Sequence, residues 1–193
     1  MDALAVAPDG TWLATGSEDG TVRIWDRASG TCTATLAGHT AGVDALAVAP
    51  DGTWLATGSR DRTARIWDRT RVTCTAVLSG HGDWVHSVAV SQDGSTLITA
   101  SRDGTMRIWD PTTGACTGNR IASALGSRSV VTSPNGTWRA SCNDQTVRVL
   151  GRTNRSVAFL RVDGAVHSCA WAEDNRTLAV VGQRGLYLYE LRT

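Results

Sequence analysis

Three residue types that can do chemistry recur in this chain at a fixed interval. His39, Ser59 and Asp61 are matched 42 residues later by His81, Ser101 and Asp103. His, Ser and Asp are the ingredients of a hydrolase triad, in which a base takes the hydroxyl proton and a carboxylate orients the base. Recurrence argues against that use. An enzyme needs one such site, and no Gly-x-Ser-x-Gly elbow is present to expose a nucleophile. A metal is a second use for His81, Asp83 and His86, but this spacing fits no common ligand pattern, and His86 falls where Asp44 stands in the preceding unit. No cofactor and no metal are expected. A phosphate-binding loop of the Gly-x4-Gly-Lys type is excluded, because the chain has no lysine.

The elements that hold these residues announce themselves by repetition. Gly20-Thr21-Val22-Arg23-Ile24-Trp25-Asp26 returns as residues 62–68 and 104–110. Worn copies run over 145–151 and 185–190. The anchor positions 25, 67, 109, 150 and 189 are 42, 42, 41 and 39 residues apart. A period near 40 closed by Trp-Asp marks a four-stranded propeller blade. In the second unit, Val43–Ala49, Trp54–Gly58, Ala64–Trp67 and Thr73–Leu78 read as strands, separated by Asp51-Gly52 and Asp61-Arg62. Asp-Gly is expected to supply the positive φ angles of a two-residue hairpin. No segment reads as a helix. The units fall at roughly 1–37, 43–79, 84–121, 127–160 and 166–191 of a single domain spanning 1–193. Residues 2–27 and 44–69 differ at three positions only: Glu18/Arg60, Gly20/Arg62 and Val22/Ala64.

The chain resembles the WD40 repeat family over essentially its whole length, through Gly-His, an Asp in a tight turn, and Trp-Asp at constant spacing. The closing run, 170–190, is similar to the C-terminal propellers of bacterial sensor and scaffold proteins, some of them signalling ATPases. The resemblance implies an all-β propeller of about five units, four complete and the fifth without its outer strand, in an open or incomplete ring. It also implies buried hydrogen-bonded tetrads. One is His39, Thr57 or Ser59, Asp61 and Trp67; another is His81, Thr99 or Ser101, Asp103 and Trp109; Thr15, Asp19 and Trp25 form a partial set. The fourth unit departs from the pattern with Ser123 for His and Leu150 for Trp, though Asp144 is kept. The fifth departs with Val162 for His, Arg184 for Asp and Tyr189 for Trp. Those two units are expected to hold by packing and strand pairing, with less rigidity.

The family implies a non-catalytic scaffold for a protein partner. Two of the three differences between the first units lie in the turn before the third strand, so the face bearing those turns is the candidate binding face. Its residues are Asp44, Arg60, Arg62, Asp83, Trp84, His86 and Arg102; Trp84 has the alternative of packing a blade joint. A second candidate is the fourth unit, where Arg120, Arg128, Arg139, Arg148, Arg152, Arg155 and Arg161 face one acid, Asp144. Such a face could meet nucleic acid or another acidic ligand. The net charge of +1 gives no overall pull in that direction.

Five cysteines, three of them 42 apart at positions 32, 74 and 116, read as reduced thiols of a cytoplasmic protein. The opening residues have no basic, apolar leader, and no run is long enough for a membrane helix. The unfinished fifth unit admits two accounts. In one, the chain is the C-terminal piece of a longer propeller, and Met1 stands at a Val position as an internal GTG codon read as a start would place it. In the other, the open strand edges join copies of the chain, helped by the opposite charge of its two halves, −4 over 1–110 and +5 over 111–193.

Overall fold

The computed structural model describes residues 2–121, 129–143, 145–151 and 156–191. These form nineteen strands in five antiparallel sheets, with no helix among the described residues. Blade 1 is β1 (Ala3–Val6), β2 (Trp12–Gly16), β3 (Val22–Asp26) and β4 (Cys32–Leu36). Blade 2 is β5 (Val43–Val48), β6 (Trp54–Ser59), β7 (Ala64–Asp68) and β8 (Thr73–Leu78). Blade 3 is β9 (Val85–Val90), β10 (Leu97–Ser101), β11 (Thr105–Trp109) and β12 (Cys116–Ile121). Blade 4 is β13 (Ser129–Thr132), β14 (Arg139–Asn143), β15 (Thr146–Leu150) and β16 (Ser156–Arg161). Blade 5 has β17 (Val166–Trp171), β18 (Thr177–Gly182) and β19 (Gly185–Glu190). Each sheet follows chain order from inner to outer strand.

Local chemistry sets the shape of each blade. In the first hairpin turns of blades 1 to 4 only the glycine takes a positive φ, 68° at Gly10, 69° at Gly52 and Gly94, and 66° at Gly136; Asn175 takes it at 59° in the fifth. The preceding Asp stays at negative φ and accepts a hydrogen bond from the backbone two residues on, as Asp51 does from Thr53 at 3.0 Å. The two-residue hairpin expected from Asp-Gly is therefore replaced by a longer turn closed through Gly52 N–H and Ala49 C=O at 2.9 Å. Farther out, a bulge recurs immediately before each Trp. Register shifts between Ile24 and Trp25, Ile66 and Trp67, and Ile108 and Trp109. The skipped outer-strand residue is Thr33, Thr75 or Thr117, and its hydroxyl donates to the carbonyl of the Ile. A bulge bends the strand and re-aims the next side chain, here the indole. Cys32, Cys74 and Cys116 flank these bulges as exposed free thiols, which explains their 42-residue spacing.

The core lies between sheets. Trp12, Ala14, Val22, Ile24 and Leu36 on the forward face of blade 1 pack against Val43, Leu55 and Trp67 of blade 2, with Leu46 and Val48 alongside. The next joint sets Ala56, Ala64, Ile66 and Leu78 against Val85, Val88, Leu97 and Trp109. Met106 and Ile98 then meet Val130 and Leu150, and Val147 and Val149 meet Val166, Leu178 and Val180. Close approach at the first joints depends on glycine. A Cβ at Gly16 would come within 2.8 Å of Val43, and one at Gly58 within 2.8 Å of the Val85 carbonyl. Inner strands pack in the order β1, β5, β9, β13, β17, with no comparable packing from β17 back to β1. The result is an open propeller arc.

Candidate functional site

Two groups of residues come together, one inside the blades and one on their rim. In blade 2, His39 Nδ1 lies 2.7 Å from Asp61 Oδ2 and Nε2 lies 2.7 Å from Thr57 Oγ1. The Trp67 indole N–H donates to the same Thr57 oxygen at 2.9 Å. With a neutral ring, Nδ1–H donates to the carboxylate, Nε2 accepts the Thr57 proton, and the hydroxyl oxygen accepts from the indole. Every donor in the chain has an acceptor. Blade 3 repeats the arrangement. His81 Nε2 lies 2.7 Å from Thr99, Trp109 donates to Thr99 at 2.8 Å, and His81 Nδ1 sits 3.0 Å from Thr105 and 3.2 Å from Asp103.

The hydroxyl left open by the sequence is Thr57, and Thr99 in blade 3. Ser59 instead donates to the Ala41 carbonyl at 3.0 Å and accepts from the Asp61 N–H at 3.1 Å, while Ser101 donates to the Asp83 carbonyl at 2.8 Å. In blade 1, Trp25 donates to Thr15 at 2.9 Å, and Asp19 accepts from Thr21 on the surface. In blade 4, Leu150 fills the Trp position and is buried; Ser123 and Asp144 lie outside the described residues. In blade 5, Val162 is buried at the His position, Tyr189 packs in the joint with blade 4, and Arg184 is exposed.

Burial and hydrogen bonding fix the charge states. Burial holds both histidines below their ordinary value, against the raising effect of their Asp partners. Burial works to raise Asp61, but hydrogen bonds from Thr63 and His39 outweigh it and hold the carboxyl at about 2. Asp103 is likewise held at about 2, with Thr105 and the Gly82 N–H overcoming burial. These groups are poised for structure rather than turnover. Thr57 and Thr99 are wholly buried, and no substrate carbonyl can reach their hydroxyls.

The rim group is built on the turns between the second and third strands. Arg60 Nε donates to both Asp44 oxygens at 3.0 Å, and its Nη1 donates to Glu18 at 3.1 Å. Asp2 lies 3.8 Å from Nη2. Arg60 thus ties blade 2 to blade 1, and its face toward blade 3 lies 5.2 Å from the Trp84 ring. Arg102 covers the same indole at 4.2 Å. Trp84 is half-buried between two guanidiniums. Arg102 is exposed and makes no ion pair among the described residues.

Arg62 is exposed and sits at φ 71°, where Gly20 and Gly104 stand in the neighbouring blades. A left-handed conformation is costly for Arg. Asp83 accepts from the Trp84 N–H at 2.7 Å. His86 is half-buried, and burial lowers its pKa, with Arg102 and Asp44 as charged neighbours acting in opposite directions. Sequence reasoning left Glu18 and Asp2 out of this group. Glu18 was visible as one of the differences between near-identical repeats, and its partner is Arg60, the residue at its own position in the next blade.

Among the described residues no group of three or more His, Cys, Asp or Glu side chains could hold a metal, and no helix is long and apolar enough to cross a membrane. Of the Arg-rich fourth unit, Arg139 and Arg148 are half-buried, with Arg148 5.8 Å from the Phe159 ring, while Arg161 is exposed. Arg128, Arg152 and Arg155 lie outside the described residues, as does the side chain of Arg120.

One expectation is corrected. The five cysteines are not all free thiols: Cys142 of β14 is disulfide-bonded to Cys169 of β17, across the joint between blades 4 and 5. The reason is positional. Cys142 stands where Gly58 stands in blade 2, and Cys169 where Val88 stands in blade 3. A Cβ on Gly58 would lie 3.2 Å from Val88, so two thiols at these positions are brought face to face.

The family model for WD domain, G-beta repeat, matches residues 2–26, 30–68, 72–110 and 117–149, well over half of the chain. The chain belongs to the WD40 repeat family. Each matched segment after the first begins near the outer strand of one blade and runs through the third strand of the next. Blade 5 lies beyond the matched residues yet keeps the same strand order. Similar proteins include human WD repeat-containing protein 86, 58% identical over 36 residues, 19% of this chain and 10% of that protein. A periodic tryptophan protein 2 homolog of Caenorhabditis elegans is 54% identical over 37 residues, 19% of this chain and 4% of its own length. Mouse ribosome biogenesis protein BOP1 is 48% identical over 40 residues, 21% of this chain and 5% of that protein. The chain thus aligns with a tenth or less of each of these relatives, about one repeat's worth.

Proposed function

We propose that this WD40 chain is a non-catalytic protein-interaction scaffold. Its binding face is the rim carrying Arg62, Trp84 and Arg102, and it takes a partner segment that offers carboxylates. Arg102 carries the reading: a guanidinium held over an indole, exposed, with no acidic partner among the described residues. Trp and Arg are the residues that most often dominate interface energy. The left-handed Arg62 adds support, since backbone strain collects at functional positions. Arg60, oriented by Asp44, sets the stage by holding blade 2 to Glu18 of blade 1 rather than by offering free charge.

A role as the sensor part of a larger signalling ATPase rests on the likeness of the closing run alone, and the relatives' part in ribosome biogenesis rests on single-repeat matches. The scaffold reading needs neither. The experiment is affinity capture from the native host, with mass spectrometry, comparing the wild-type chain with Arg102→Glu, Trp84→Ala and a control on another turn, Arg27→Glu. A partner retained by wild type and by the control but lost by both rim variants is the expected result. Equal retention by all four proteins contradicts the reading.

A further inference from the structure

The two ends of the arc carry the two halves of the joint that recurs four times inside it. Leu46 and Val48 of β5 pack against blade 1, and Leu55 and Trp67 complete that contact. Their counterparts in blade 1 are Leu4, Val6, Leu13 and Trp25, in nearly the same sequence. Leu4 is 59% exposed and Val6 53% exposed. Leu13 and Trp25 are half-exposed, where Leu55 and Trp67 are buried at 0% and 2%.

The far end shows the converse. Val22 and Ile24, Ala64 and Ile66, Met106 and Ile108, and Val147 and Val149 are each 0–4% exposed beneath the following blade. The residues at those positions in blade 5 are Leu186 and Leu188, 63% and 66% exposed, with Val181 beside them at 46%. Val181 stands where Gly16 and Gly58 stand, and Ala100 and Cys142 show that this position takes a side chain.

We propose that these faces join to each other, so that the forward face of blade 5 in one copy seats the rear face of blade 1 in a second copy. The argument is complementarity already demonstrated within the chain. The surface that buries Leu46, Val48, Leu55 and Trp67 has Ala14, Val22 and Ile24 of the second and third strands at its centre, flanked by Trp12 and by Leu36 of the fourth strand. Blade 5 presents the aliphatic centre of such a surface in Val181, Leu186 and Leu188, and blade 1 presents the residues that fill it. The contact is heterologous, so copies add head to tail. Charge does not drive it. Residues 2–37 hold five acids against two Arg, and residues 162–191 four against two. The end blades repel mildly, and added salt strengthens the association by screening. The opposed charges of the chain's two halves therefore play no part.

The test is sedimentation of the 193-residue chain, wild type and two variants, Leu4→Glu and Leu188→Glu. Both substituted side chains are exposed in the single chain, so folding is spared. Wild type is expected to sediment above the 20.4 kDa monomer, with mass rising with concentration. Each variant alone is expected to associate about a hundredfold more weakly, as loss of a buried leucine contact implies. An equimolar mixture is expected to form 1:1 pairs, because each variant keeps the face the other has lost. Monomeric wild type at hundreds of micromolar, association unchanged by either substitution, or a mixture that stays monomeric would each overturn the proposal.

Discussion

Blades 2 and 3 differ from blades 4 and 5 in how a third-strand side chain is held in the joint. In the first pair a buried His–Asp–Thr chain grips the Trp indole by its N–H, so the ring is fixed by direction as well as by contact. In the second pair Leu150 and Tyr189 stand at the Trp position, and the blades are joined by aliphatic packing and the Cys142–Cys169 bond. Both solutions bury apolar surface. Only the polar chain specifies one geometry, because any other leaves a buried donor or acceptor unpaired, at about 1–3 kcal/mol per group. The family pattern is thus a device for defined blade placement, and the rim residues proposed for recognition sit on the blades that have it.

The largest test of this contrast is removal of the ring. Trp67→Ala empties a joint and strips Thr57 of a donor, and is expected to cost about 3–5 kcal/mol in denaturant unfolding. Trp25 makes the equivalent bond to Thr15 but is half-exposed where Trp67 is buried, so Trp25→Ala is expected to cost about a third as much. Equal losses would show that the joint adds little to the ring's contribution.

Acid gives a second, smaller handle. His39, His81 and His86 have folded pKa values below the ordinary 6.5, so the stability they contribute is complete above about pH 6.5 and is lost as pH falls through the folded values. Asp61 and Asp103, held at about 2, keep their contribution above about pH 4 and lose it toward pH 2. The denaturation midpoint is expected to fall between pH 7 and pH 5, and less steeply in a His39→Gln, His81→Gln double variant. A midpoint independent of pH over that range would mean that the tetrad histidines are not held neutral.

The smallest effect is a count. Alkylation of the unfolded, unreduced chain should label Cys32, Cys74 and Cys116 and spare Cys142 and Cys169; five labels would remove the covalent link between blades 4 and 5.

Much of this was legible in the residues, and the gaps have physical causes. The Trp-Asp period located the third strands, and the Asp-Gly turns the first hairpins, because both are local chemistry. Thr57 and Ser59 could not be separated by type or spacing. They lie two apart on one strand face, and only the packing of Trp67 and His39 selects the former. The worn fifth unit keeps its sheet because Leu178 and Val180 still alternate toward blade 4, where they are wholly buried. The Cys142–Cys169 pair was not legible because its members occupy two different repeat positions that meet only across a joint, whereas the 42-residue cysteine series marks a single repeat position. Glu18 and Arg60 were visible as differences but not as partners, since nothing in one chain says that position 18 of a repeat faces its own image in the next blade.

Native-state hydrogen exchange, resolved by strand, tests the central claim most directly. Strands β6, β7, β10 and β11, locked by their tetrads and covered on both faces, should exchange slowest, and β18 and β19, with no tetrad and an open forward face, fastest among the inner three strands of the blades. Equal protection across the five blades, or slowest exchange in β18 and β19, would contradict the claim that the polar chain rather than packing alone holds the scaffold's geometry.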